Sequence, residues 1–284
     1  MRPLRDVIAD YKQRGVALGH FNISDSNQLG ALVLASHETA LPVIAGLSEG
    51  ERAHLPLCEA RALIDAYKAE GIQIYLNADH TYSAAKAKEA IDAGVDSIVI
   101  DGAQLPLAEN IAMTKEVVAY ARASGRDVVV EGELGYIGTS SKQLDALPQG
   151  VTLEDLTTAA DAKKFVQESG VDCFAPAVGN IHGMLKNAAE PRLHPDRVKE
   201  IATAVGVPLV LHGASGNTEE DVRACIKAGI AVVHINTELR VLYRDTLKHT
   251  LDTGDEVAPY KFLAPAEQKM QQYLAAKLRF FAGQ

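Results

Sequence analysis

The sequence predicts an α/β fold, a single (β/α)8 TIM barrel over residues 1–284. Three observations carry that prediction: a helix–glycine–strand unit that repeats along the chain, strand candidates apolar on both faces, and a length close to the roughly 250 residues of one barrel. The repeat reads YKQRGVALGHF, YKAEGIQIYL, AIDAGVDSIVI, YARASGRDVVV, VQESGVDCFAP, ATAVGVPLVLH and CIKAGIAVVHI, with Gly15, Gly71, Gly94, Gly125, Gly170, Gly206 and Gly229 at the junctions. Glycine there suits the left-handed residue that closes a helix. A short, fully apolar run suits a parallel strand covered on both sides. An eighth strand, at 42–47, follows a helix around 27–39 without the glycine.

Taken in order, the opening MRPLRDVIADYKQRG reads as a helix and not as a secretory signal, because no apolar run follows its basic residues. The eight units then alternate helix and strand, which implies a parallel sheet. A closed barrel is favoured over an open doubly wound sheet, since GHFNISD after the first strand is not the GxGxxG of a nucleotide fold. After the fifth strand, 135–154 carries Gly, Ser and Pro in a long irregular run, the composition of an active-site lid. The apolar tail YLAAKLRFFAG packs either within the chain or against a second copy, as in a homodimer or homotetramer.

Composition excludes several function classes. With 47% hydrophobic and 23% charged residues, and no stretch of about 18 apolar residues, the chain reads as soluble and without a membrane span. Cys58, Cys173 and Cys225 lack paired spacing, which points to a reducing, cytoplasmic setting. A net charge of −9 without a basic cluster disfavours nucleic acid and anionic membranes. An anionic substrate would have to be met by backbone dipoles, a metal ion and a few cations.

In such a barrel, chemistry sits where strands end. Here they end in Asn22 and Ser24; Ser48 and Glu49; Asn77, Asp79 and His80; Asp101; Glu131 and Glu133; Asn180 and His182; His212, Gly213 and Ser215; and His234, Asn236 and Thr237. One histidine at a strand end is ordinarily a hydrogen-bonded structural residue. His80, His182 and His212, however, would converge from the third, sixth and seventh strands on one mouth, as in three-imidazole sites for zinc or a similar ion. Asp79 either shuttles a proton beside that cation or caps a helix opening at 81–84. In an extended segment Asp79 and His80 diverge, so only one of them faces the metal squarely. The small-residue turn HGASGN either offers backbone N–H groups to a phosphate or is a tight turn capped by Asn217 or Thr218; HINTELR offers a second such turn.

With these motifs read, the chain resembles the class II, zinc-dependent ketose-bisphosphate aldolases, fructose- and tagatose-bisphosphate aldolases among them. The resemblance runs nearly end to end, through GHFN, VIAGLSEG, NADHTYS, SIVIDGAQLPLAENI, VEGELG, AVGNIHG, LVLHGASG, INTELR and KFLAPA. It implies that His80, His182 and His212 bind Zn(2+) or another divalent metal and that Asp79 gives the proton to the hydroxyl released at the cleaved bond. It implies that Gly183, Gly213, Ala214, Ser215, His234, Ile235, Asn236 and Thr237 hold the phosphate of dihydroxyacetone phosphate, with a monovalent cation nearby. Asn22 and Ser48 resemble further pocket positions, and Glu131 and Glu133 acidic residues behind or on the metal. The partner is then a small phosphorylated sugar. A metal-dependent lyase or epimerase of another sugar phosphate, and a silent ligand-binding barrel, are the alternatives.

Three positions depart from the family pattern. His234 stands where the family usually has asparagine. The loop GYIGTSSKQLD replaces one with glycines and an acidic pair, so the carbon acid/base is absent or moved to Asp145. Ala175 is followed by Pro176, which restricts the neighbouring backbone.

Overall fold

The computed structural model describes residues 2–151 and 156–284. Helix α1 (Leu4–Arg14) leads into β1 (Leu18–Asn22), followed by α2 (Ser26–Thr39), β2 (Val43–Leu47), α3 (Glu49–His54), α4 (Leu57–Ala69) and β3 (Ile74–Thr81). Next come α5 (Ala84–Asp92), β4 (Ser97–Asp101), α6 (Leu107–Ala123), β5 (Val129–Leu134), the short β6 (Gln143–Leu144), α7 (Ala159–Ser169) and β7 (Cys173–Pro176). The chain ends with the short β8 (Met184–Leu185), α8 (Pro195–Val205), β9 (Leu209–Leu211), α9 (Glu219–Ala228), β10 (Ile230–Ile235), α10 (Thr237–Thr253), α11 (Pro259–Phe262) and α12 (Ala264–Phe281).

Strands β1, β2, β3, β4, β5, β7, β9 and β10 close into a parallel barrel in chain order, with β10 against β1. Their apolar runs are buried on both faces, as helix-covered parallel strands must be. The seven junction glycines all have positive φ, from 66° at Gly15 to 134° at Gly229. Two apolar layers result. Outward-facing residues such as Phe21, Leu47 and Phe174 pack against the ring of helices. Inward-facing Leu18, Ile44, Tyr75, Val129 and Val210 fill the barrel floor together with Leu4, Val7, Ile8 and Tyr11 of α1, which therefore plugs the amino-terminal end. The plug and the filled floor leave the opposite end, where strands finish, as the open one.

The tail packs within the chain. Leu274, Ala275, Leu278 and Phe281 are buried on α12, which lies along α2, and Ala17 N–H donates to the Phe281 carbonyl at 2.9 Å. Between β5 and α7, in the region expected to be a lid, β6 pairs with β8 in a two-stranded ribbon. Residues 152–154 of that expectation lie outside the described residues.

Candidate active site

β3 finishes with an irregularity that decides the site. Between Ala78 and Thr81 its register against β4 slips by one residue, and His80 takes φ 34°, unusual for a side chain with a Cβ. The strand is therefore not extended there, and Asp79 and His80 both line the same cavity, which corrects the expectation that the two diverge. Neither is a helix cap; Ser83 caps α5.

Each histidine of the predicted trio has one ring nitrogen tied to an acceptor. His80 Nδ1 donates to Asp101 at 2.8 Å, His182 Nδ1 to the Gly138 carbonyl at 2.6 Å, and His212 Nε2 to Glu131 at 2.6 Å. Those acceptors set the tautomers and leave His80 Nε2, His182 Nε2 and His212 Nδ1 bare. The ligand-bearing atoms of the three lie within 4.8 Å of one another, and His212 Nδ1 stands 3.2 Å from His80 Nε2. At that distance the two nitrogens share a positive charge, a proton on His80 Nε2 or a metal ion in its place. The field agrees. Burial opposes charge on His80, yet Asp79, Asp101 and Glu133 lift its imidazolium to about 10, so positive charge among these rings is favoured. Burial, with the charge on His80 adding to it, pushes His182 down to about 4. The donor set, three imidazoles with their outer nitrogens held, fits a divalent ion of the zinc type. Behind it, burial raises the Glu131 and Glu133 carboxyls well above the usual range, and neighbouring Asp79 and Asp101 respectively raise them further.

Burial pushes the Asp79 carboxyl up, but His80, His234 and His20 outweigh it and hold it well below the usual carboxylate range. It is thus an ionised proton acceptor inside the cavity. Its Oδ2 accepts from Asn22 Nδ2 at 2.9 Å, and the same nitrogen donates to Glu51 at 2.9 Å. Glu51 also accepts from Ser48 N–H and Oγ–H and from Arg240. Asn22 and Ser48 are therefore locked by one buried carboxylate.

The far wall is made of backbone. Ser215 Oγ accepts from the N–H groups of Asn236 and Glu238, both at 3.3 Å, at the start of α10, a 17-residue helix whose amino end opens on the cavity. Such an end is a ready anion site. Gly213 and Gly183 stand where no side chain fits: a Cβ on Gly213 would lie 2.2 Å from the Ile181 carbonyl oxygen, and one on Gly183 2.8 Å from that of Lys142. Across from them, Ser141 accepts from Asn236 Nδ2 and, through its carbonyl, from Arg240.

Comparison with known proteins bears directly on this geometry. The family model "Fructose-bisphosphate aldolase class-II" matches residues 2–284. The chain belongs to that family. It is accordingly a carbon–carbon lyase of the class II, metal-dependent type. It is 33% identical over 283 residues to the fructose-bisphosphate aldolase of Staphylococcus aureus (strain Mu50 / ATCC 700699), covering 98% of this chain and 96% of the relative. The probable fructose-bisphosphate aldolase of Bacillus subtilis (strain 168) is 33% identical over 284 residues, with the same coverage. Among solved structures, the YdjI aldolase from Escherichia coli K12 superposes with a TM-score of 0.83 at 27% identity, covering 98% of this chain and 96% of that one. A putative fructose-1,6-bisphosphate aldolase from Coccidioides immitis gives 0.85 at 25%, with the same coverage.

The fold gathers Asn22, Ser48, Asp79, His80, His182, Gly183, His212, Gly213, Ser215, His234, Asn236 and Thr237 around one cavity. Ala214 and Ile235 instead turn their side chains into the layer beneath the helices, so only their backbone faces inward. Asp145 is not in the cavity: it is exposed on the β6–β8 ribbon, where Lys186 Nζ donates to it at 3.0 Å, so the relocation of the family's carbon acid/base to Asp145 is withdrawn. Sequence reading assigned no role to Glu51, Arg240, Ser141, Tyr82 or His20. Asp101, noted only as a polar strand end, turns out to hold His80. Glu51 carried one signal, the Ser48-x-x-Glu51 spacing of a capping box at the start of α3, which announces a cap but not the bonds to Asn22 and Arg240. Arg240 carried none, since it lies one turn into a helix, where a charged residue is ordinarily solvated.

Proposed function

We propose that the chain catalyses reversible retro-aldol cleavage of a ketose bisphosphate, of the fructose 1,6- or tagatose 1,6-bisphosphate class, to dihydroxyacetone phosphate and an aldehyde. The observation that carries this reading is the convergence of three imidazoles whose outer nitrogens are each held by an acceptor, next to an ionised, buried Asp79. The names of the S. aureus and B. subtilis relatives support the sugar class.

In this reading His80, His182 and His212 hold the divalent metal, zinc first, while Asp101, Gly138 and Glu131 fix their rings and Glu133 stands behind. The bound ion supplies a Lewis acid for the ketone oxygen and for the negative charge that grows there as the bond breaks. Asp79, aimed by Asn22, takes the proton from the hydroxyl on the carbon leaving as aldehyde, and returns it in the condensation direction. Ser215, the backbone at 213–214 and 234–237, and Gly183 receive the phosphate at the amino end of α10 by N–H donation, with room in the reading for a monovalent cation beside it. Ser48 lines the other flank. The chain works as one domain over 1–284, with 135–154 closing over the substrate; Ser141 bound to Arg240 and Asn236 supports that closure. A homodimer or homotetramer in the cytoplasm completes the proposal; no helix among the described residues is long and apolar enough to cross a membrane.

The test couples metal content to release of dihydroxyacetone phosphate from a panel of ketose bisphosphates, with and without a chelator. About one ion per chain and chelator-sensitive release are expected. Asp79→Ala should keep the metal and lose roughly 10²–10⁴-fold in cleavage rate, whereas His212→Ala should lose the metal. Stoichiometric metal in His212→Ala, or undiminished cleavage by Asp79→Ala, would sink the assignment.

A further inference from the structure

We propose that His234 is a positioning residue for Asp79, held flat by His20 in a slot that Gly46 leaves open. The proposal rests on the reading of Asp79 as the group that moves the proton at the aldehyde oxygen.

Three adjacent strands build the arrangement. His20 on β1 and His234 on β10 are register partners, so both point inward at one level of the barrel. Their rings stack at 3.5 Å between centroids and 6° between planes, and His234 stacks in turn on His212 at 4.2 Å and 21°. On the other flank β2 presents Gly46, where an added Cβ would lie 2.2 Å from the His20 ring. His20 is thus clamped between backbone and imidazole, and its Nε2 donates to Asn77 at 3.2 Å. The slab leaves His234 one in-plane direction, and its Nδ1 sits 3.5 Å from Asp79 Oδ1. That oxygen is buried and makes no hydrogen bond, His234 Nδ1 being the ring nitrogen nearest to it, whereas Oδ2 is held by Asn22. Asn22 from β1 thus bonds one carboxylate oxygen, and His234 from β10 faces the other, close enough to fix the carboxylate plane once the two draw together.

The same stacking argues against metal binding by His234. Its ligating atoms do come near those of two clusters, His20 with Asp79 and Glu131 with His212. Imidazole lone pairs lie in the ring plane, so nearly parallel stacked rings aim side by side and do not converge on one ion. Nor does a positioning role require His234 to touch substrate. A residue that acts only through Asp79 affects the step in which the aldehyde oxygen gains or loses its proton. It leaves untouched the half-reaction in which dihydroxyacetone phosphate loses a proton from the carbon that forms the new bond and regains one from solvent.

The experiment compares parent, Asp79→Ala, His234→Ala, His234→Asn and the double variant, all metal-loaded. It measures ketose bisphosphate cleavage, exchange of the dihydroxyacetone phosphate C–H proton with deuterated solvent, and metal content. His234→Ala should lose about 10- to 100-fold in kcat for cleavage, with KM, metal stoichiometry and exchange near the parent's. Asparagine places an amide N–H where Nδ1 stood and should restore much of the loss. The double variant should be no worse than Asp79→Ala alone, because the two act as a unit. Loss of exchange with cleavage, or a raised KM at unchanged kcat, would show that His234 touches the substrate and overturn the proposal. Loss of metal would also overturn it. Undiminished cleavage by His234→Ala while Asp79→Ala is crippled would overturn this inference and leave the Asp79 assignment standing, whereas parent-like cleavage by Asp79→Ala would remove both. Should His234→Ala fail to fold, His20→Ala reads the same prediction through the clamp, with a smaller kcat loss and unchanged exchange.

Discussion

Gly213 and Gly30 show how one substitution has opposite signs by position. Gly213 sits at φ 56° with the backbone of Ile181 and His182 against it, and a carbonyl cannot swing aside as a side chain can. Gly213→Ala should lower stability by more than about 2 kcal/mol and displace His182, whose own N–H and ring are pinned to the loop at Ile137 and Gly138. Gly30 lies inside α2, and a Cβ there meets nothing within 4 Å. Gly30→Ala should stabilise by about 0.5–1 kcal/mol, by restricting the unfolded chain. Urea unfolding of the two variants reads both; a stabilised Gly213→Ala would contradict the contact geometry. At this scale the sequence announced Asp79, His80 and the strand-end histidines, because type and position suffice to find them. It could not announce His20. An inward histidine on β1 is legible as buried, but its meaning depends on β2 having no side chain at Gly46 and on β10 having a ring at His234.

Among the elements, α12 shows what sequence leaves open. YLAAKLRFFAG has an apolar stripe suited equally to a partner and to its own barrel. The packed answer is α2, with Leu274 and Phe281 fully covered. Leu274→Ala should cost about 2–5 kcal/mol through lost burial and a residual cavity. The measured urea midpoint should fall without a change of slope, since the exposed area on unfolding is nearly the same. A variant within 0.5 kcal/mol of the parent would mean that α12 does not close the shell, at the sensitivity about which surface changes scatter. The β3 bulge is the second element-scale result. Alternation predicts that Asp79 and His80 part, and only the extra residue opposite β4 brings both to the cavity.

Over the whole molecule, two ends of the barrel use charge differently. At the plugged end, Asp172 accepts from Arg5 of α1, from Arg122 of α6 and from the Val130 N–H. Burial pushes its carboxyl up, but Arg5, Arg122 and the backbone donor outweigh it and hold it below its ordinary value. A depressed folded-state value means stability that is fully present above the unfolded value of about 3.9 and is lost as pH falls through the folded one. Asp172→Asn should therefore be about 1–3 kcal/mol less stable at neutral pH, and the gap should close on acidification below about pH 4. A gap that stays constant between about pH 5 and pH 2 would exclude the charge as its cause, since the unfolded carboxyl protonates within that window. At the open end, in the function proposed above, a chain of net charge −9 would receive an anion through the amino end of α10 and glycine backbone, so that the global field is overridden locally.

What the sequence determined by itself is periodic or local: the helix–glycine–strand repeat, the eight buried strands, and the polar residues that finish them. Those follow from side-chain type and spacing, which need no knowledge of neighbours. The tertiary structure alone decided which side chains meet. Glu131 stands behind His212, 81 residues away, Glu51 joins Asn22 to Arg240, and His20 lies flat on His234. Each of these pairs spans strands or helices whose relative register is set only when the barrel closes, with β10 laid against β1.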